Sequence, residues 1–331
     1  MKRREFITLL GGAVVSPVPW PFTAGAQQPS KLPTVGFLGP STAAAESQRV
    51  AAFARRLREL GWVESRTIVL DYRWAEGRYD RLPELASELV RRAVAVIATA
   101  GGSISALAAK SATATIPIVF LSGGDVVKLG LVASLNRPGA NVTGASQFSV
   151  ALVPKRLELM RELTPKATTI AFLINPGNPN AELGLQHAHA ASGVLGLKLM
   201  VVRASSEAEL DAAFTDLARE RASGLVVETD PFFDGRRDRI VAMAEKHAIP
   251  AIYGARDYAV VGGLISYGPD FADTYREAGA YTGQILKGVR PGDLPVVQPT
   301  KFQLVVNLKT AKTLGIAIPQ TVLVRADEAI R

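Results

Sequence analysis

From Thr34 onward, short apolar runs alternate with stretches in which apolar residues return every three or four positions. Val35 to Gly39 (VGFLG) reads as a buried strand. The segment after it places Val50, Phe53, Ala54 and Leu57 on one helical face and stops at Gly61. TIVLDY is the next strand, and Leu82, Leu85, Ala86, Leu89 and Val90 form the apolar stripe of a second helix, with Asp80 or a neighbour as its cap. VAVIATA, the helix ISALAAKSA and the strand IPIVFLS continue the series. Strand and helix in strict alternation predict a parallel sheet with helices on both faces.

The second half repeats the first. TTIAFLINP matches TVGFLGP, KLMVVRA matches TIVLDYR, SGLVVETD matches VAVIATAG, and AIPAIYG matches TIPIVFLS, with each pair about 130 residues apart. Ser206 to Glu209 is a capping box that opens the helix of Leu210, Phe214 and Leu217. Arg137 to Ser146 (RPGANVTGAS) carries the turn residues of a passage between halves. LISYGPD, an amphipathic helix on Phe271, Tyr275, Ala278, Thr282 and Ile285, and a last strand and helix within Leu294 to Pro319 then follow. If that middle helix and the last strand complete different halves, the chain crosses between them three times, which makes a hinge. The expected fold is α/β, with two similar doubly wound parallel-sheet lobes. One lobe takes residues 32–143 with 268–292, the other 144–267 with 293–331.

The first 26 residues read as an address rather than as fold. Lys2, Arg3 and Arg4 precede a short apolar run from Ile7 to Val15, and Ala24-Gly25-Ala26 is a small-residue cleavage site. Arg3-Arg4-Glu5-Phe6-Ile7 fits the twin-arginine export pattern, and a general secretory signal is the alternative. Either route leads to the periplasm. No cysteine stands near the cleavage site to carry a lipid anchor, so a freely diffusing monomer without stable membrane insertion is expected. The chain has no cysteine at all, so stability must come from core size rather than from disulfides.

Composition narrows the partners. With 48% hydrophobic and 21% charged residues the chain is an ordinary globular protein. The formal charge of +8 falls to about +6 without Lys2, Arg3, Arg4 and Glu5. That surplus forms no basic run, and no nucleic-acid module is legible, so no nucleic-acid partner is expected.

Catalytic patterns are absent: there is no Walker loop, no G-x-S-x-G elbow, no H-E-x-x-H and no dinucleotide glycine pattern. His187 and His189 diverge on a helix, and no metal or other cofactor is expected. Open α/β sheets instead bind ligands at the C-terminal ends of their strands. Ala100-Gly101-Gly102-Ser103 sits at such an end and opens a helix, so Gly102 and Ser103 suit a carboxylate or phosphate. Ser122-Gly123-Gly124-Asp125 lies likewise, and Asp125 either receives an amine or caps a helix. Ser41 ends the first strand as cap or ligand donor. The other half presents Asn175, Asp230, Phe232 and Tyr253 at the matching ends, a more acidic and aromatic rim that suits an amine or a flat body. A small zwitterion such as an amino acid would satisfy both rims.

Longer phrases carry a family resemblance. FLSGGD with GLVASLNRPGANVTG, then DPFFDGRRDRIVAMAEKHAIPAIY, GGLISYGPDFADTYREAGAYTGQILKG and LPVVQPTKFQLVVNLKTAKTLGIAIP closely resemble substrate-binding proteins of ABC transporters of the tryptophan- and tyrosine-binding type. The resemblance implies a type I periplasmic binding protein fold, a ligand trapped between two lobes, and delivery to a membrane permease with its ATPase. Two other functions share the cleft: a ligand sensor for a membrane receptor, and an enzyme using Asp125 and Asp230 as acid and base.

Overall fold

The computed structural model describes residues 32–331, so the export segment read in residues 1–26 lies outside the described residues. The first lobe runs β1 (Thr34–Gly39), α1 (Ala43–Glu59), β2 (Val69–Trp74), α2 (Leu82–Arg91), β3 (Val96–Thr99), α3 (Ser103–Ala112), β4 (Ile118–Ser122) and β5 (Val142–Ser146). These strands form one parallel sheet in the order β2-β1-β3-β4-β5. β3 and β4 are buried along their whole length, which is why they read as unbroken apolar runs. In α1 the Thr42 hydroxyl accepts the Ala45 N–H at 3.1 Å, and Phe53 and Leu57 go into the core. Asp80 does not cap α2: it sits in a short 3-10 turn and pairs with Arg78 at the surface.

The second lobe begins with α4 (Val153–Leu163), β6 (Thr169–Ile174), α5 (Ala181–Val194), β7 (Lys198–Arg203), α6 (Glu207–Arg219) and β8 (Leu225–Val227). It goes on through α7 (Pro231–Asp234), α8 (Arg237–Lys246), β9 (Ala251–Tyr253), α9 (Arg256–Val260) and β10 (Ile265–Pro269). The tail supplies α10 (Phe271–Ile285), β11 (Phe302–Asn307), α11 (Leu308–Thr313), α12 (Gln320–Arg325) and β12 (Glu328–Ile330). Read from β7, the second sheet runs β7-β6-β8-β9-β10-β11-β12, so its first five strands repeat the order of the first sheet. The sequence duplication is therefore a duplication of topology. β11 departs from the parallel expectation: it pairs antiparallel with β10, Pro269 opposite Phe302. The Ser206 hydroxyl accepts the Glu209 N–H at 3.3 Å as a capping box requires, while the Glu209 carboxylate reaches back one residue further, to the Ser205 N–H at 2.6 Å.

Three passages join the lobes. The chain leaves the first sheet after β5 and enters α4 through residues 147–152. It returns around Asp270, because β10 belongs to the second sheet while α10 packs Tyr275, Ala278 and Ile285 into the first lobe's core beside Phe53. It leaves again after Val297, whose N–H donates to Gly144 of β5, and reaches β11. The strand ends that face the other lobe are the C-terminal ones, so the loops after β3, β4, β5, β6 and β8 meet at one place.

Candidate functional site

That place is a small cavity between the lobes. Its volume is about 30 Å³, room for one or two waters. From the first lobe come Gly101, Gly102 and Ser103. Gly101 (φ +66°) and Gly102 (φ +105°) both hold left-handed backbone, which glycine adopts without strain, and they aim the N-terminus of α3 at the cavity. The Ser103 hydroxyl lies 2.6 Å from that of Ser122 and accepts from Asn180 Nδ2 at 3.0 Å, a bond that crosses from one lobe to the other.

The second lobe contributes a buried carboxylate pair. Asp230 is fully buried and accepts from Asn175 (3.1 Å), Asn178 (2.9 Å), the Tyr79 hydroxyl of the first lobe (2.9 Å), and the N–H groups of Phe232 (2.9 Å) and Phe233 (3.3 Å). Burial pushes its pKa up to about 6, and the hydrogen bonds hold it from rising further. Glu228 differs in kind: it is 3% exposed, and neither of its carboxylate oxygens has a hydrogen-bond partner. Burial raises its pKa well above the usual range, Asp230 raises it further, and Arg156 opposes both. It fits beneath α5 because residue 184 is glycine; a Cβ there would stand 2.6 Å from Glu228 Oε1. Ser149 Oγ and Thr229 Oγ1 are likewise buried and unpartnered, and both residues line the cavity. Buried polar atoms are nearly always paired, so a cavity wall that gathers several unpaired ones has hydrogen-bonding capacity to offer a polar group.

Arg156 stands behind this wall and is fully buried. It donates to the carbonyls of Tyr267 (2.8 Å) and Ser149 (3.2 Å), which lie at or beside two of the three passages. Burial lowers its pKa to about 10.

Of the residues expected from sequence, Gly102, Ser103, Gly123 and Asp230 line the cavity together. Asn175 lies one layer behind, donating to Asp230 and accepting from the Gly177 N–H. Asp125 lies in a neighbouring hollow and accepts the N–H groups of Val127 and Lys128 at 3.1 Å, but the residues that follow form a turn and not a helix for it to cap. Asp125 and Asp230 thus do not share the cavity. Ser41 is buried at the end of β1 outside the lining. Phe232 packs edge-on against Phe233, centroids 5.7 Å apart, with the Arg236 guanidinium 3.9 Å from its ring centre. Tyr253 stacks on Tyr258 at 4.5 Å in the second lobe's core. Both rings are held by core packing, so neither reaches the cavity.

Sequence reasoning passed over Arg49, Ser149, Asn180, Glu228 and Tyr275, all of which line the cavity. A charge inside an apolar strand end was legible at Glu228, the first polar residue after LVV. Arg49 carried no such mark, because two of its three carboxylate partners come from the other lobe.

The comparisons agree with this geometry. A model of the family described as ABC transporter substrate binding protein matches residues 41–330. A tyrosine-binding protein of Clostridioides difficile is 28% identical over 262 residues, covering 79% of this chain and 75% of the relative. A conserved domain protein of Vibrio cholerae superposes with a TM-score of 0.84 at 29% identity, over 90% of this chain and all of the other. An ABC domain of Streptococcus pneumoniae, solved in complex with L-Trp, gives 0.82 at 25% identity over 91% of this chain and all of the other. Duplicated lobes, three passages and a polar cavity between them are the type I periplasmic binding protein fold, and this chain belongs to the family of ABC transporter substrate-binding proteins.

Proposed function

We propose that this protein is the exported solute-binding component of an ABC importer, closing in the periplasm on an amino acid, with aromatic amino acids the first candidates, and passing it to a permease and its ATPase. The observation that carries the reading is a single cavity with opposite polarity at its two walls. Gly102, Ser103 and the N-terminus of α3 favour an anionic head, and the unpartnered carboxylate of Glu228 favours an ammonium group. Asp230 accepts five hydrogen bonds already and serves to organise Asn175, Asn178 and Tyr79 around the site. The names of two similar proteins, one tyrosine-binding and one bound to L-Trp, support the ligand class. Residues 2–26 support the export route.

The cavity as it stands is too small for an aromatic side chain, so the lobes must part to load one and settle around it farther apart than here. A thermal-shift screen of the mature protein against the twenty amino acids tests the assignment. A true ligand at about 100 times its Kd adds about 2.7 kcal/mol, a shift of several degrees. A flat response to all twenty, with native mass spectrometry finding a different molecule bound, would withdraw the amino-acid reading.

A further inference from the structure

We propose that Arg49 couples ligand binding to closure of the lobes, its guanidinium bridging the cleft while the buried Nε stays free for the ligand. Arg49 belongs to α1 of the first lobe and is 4% exposed. Its Nη1 donates to Asp234 at 2.9 Å and to Glu46, one turn back on its own helix, at 3.3 Å. Its Nη2 donates to Asp257 at 2.8 Å. Both aspartates belong to the second lobe, at α7 and α9. The Phe271 ring lies 4.4 Å from Cζ and covers the face of the group. Three of its five N–H groups are thus engaged; Nη2 keeps a second hydrogen, and Nε is buried without a partner in a residue that lines the cavity. A ligand oxygen accepting from Nε would satisfy its buried donor and hold the fork toward the two aspartates.

Arg49 is also part of a wall. An open hollow of about 220 Å³ shares only Arg49 and Phe271 with the cavity, and Asp257 lines that outer hollow but not the cavity. A ligand leaving this way must break the bridge between Arg49 and Asp257. Parting the lobes would draw both aspartates away from Arg49 and leave Glu46 as its one carboxylate partner, so the two pairs between lobes depend on this arrangement.

Asp257→Asn weakens the bridge without altering the cavity lining. The ligand arm rests on the amino-acid reading above. With L-tryptophan and L-tyrosine as probes in stopped-flow binding, koff should rise about tenfold while kon changes by less than about threefold and the preference between the two stays the same. Arg49→Lys keeps the charge but loses the fork and Nε, and should raise Kd more than Asp257→Asn does. A second arm needs no ligand: hydrogen exchange at the amides of 232–235 should speed up in ligand-free Asp257→Asn while the sheet amides stay protected. Unchanged koff together with unchanged exchange overturns the proposal, as does an effect confined to kon. If neither amino acid binds the wild type, the amino-acid reading fails and the exchange result alone decides the role of Arg49.

Discussion

Glu228 shows how one buried group sets the chemistry of the site. Its carboxyl holds its proton to a higher pH than an exposed glutamate because burial and the neighbouring Asp230 both disfavour the charge, against the pull of Arg156. A ligand ammonium favours the ionised form. Binding below the pKa of the free protein must therefore release that proton, so affinity rises with pH, by up to about tenfold per unit, and levels off once Glu228 is ionised beforehand. Calorimetry from about pH 5 to 8 should show this slope in the wild type. Glu228→Gln should flatten it and weaken binding about tenfold or more. A slope that survives in the Gln variant would assign the amine elsewhere. Asp230 acts on folding in the opposite direction with pH: its folded pKa of about 6 stands above the ordinary 3.8, so its contribution is present in acid and is lost as pH rises through about 6.

At the scale of elements, the alternation of strand and helix was legible because each element carries its own period. Leu82, Leu85, Ala86 and Leu89 are buried as their spacing required. α7 and α9 escaped detection, since four and five residues are too few to show a period. The antiparallel placing of β11 escaped for a different reason: period 2 says which face is buried, not which way a neighbour runs. Gly268 marks a close approach that no local pattern encodes. Any Cβ at this point of β10 would strike the carbonyl oxygen of Gly254, a backbone atom that cannot turn aside. Gly268→Ala should therefore cost about 1–3 kcal/mol or more, read by thermal denaturation. An unchanged Tm would show that β10 and the Gly254 loop have slack between them.

For the whole molecule, closure is the property that matters, and one glycine limits it. A Cβ on Gly124 of the first lobe would meet Asn180 Oδ1 of the second, and the Asn180 side chain is pinned by Ser103. The backbone at 124 lies outside the left-handed region, so alanine is tolerated locally. Gly124→Ala should leave the unfolding of each lobe nearly unchanged while raising Kd about tenfold through a weaker closed state, with a larger radius of gyration in X-ray scattering at saturating ligand. Wild-type affinity in this variant would mean that the lobes need not approach so closely there.

The sequence by itself determined the duplicated α/β plan and the glycine-led loop at Gly101 to Ser103 that opens α3, because periodicity and turn chemistry are local. It also brought Asp230 to a strand end, where open sheets present their ligand groups. Only the tertiary structure decided which polar residues share a cavity. Tyr253 and Phe232 went to core packing, and Arg49 was drawn to Asp234 and Asp257, 185 and 208 positions away. Such choices depend on burial and on charge partners from the opposite lobe, and neither can be written into a stretch of a few residues.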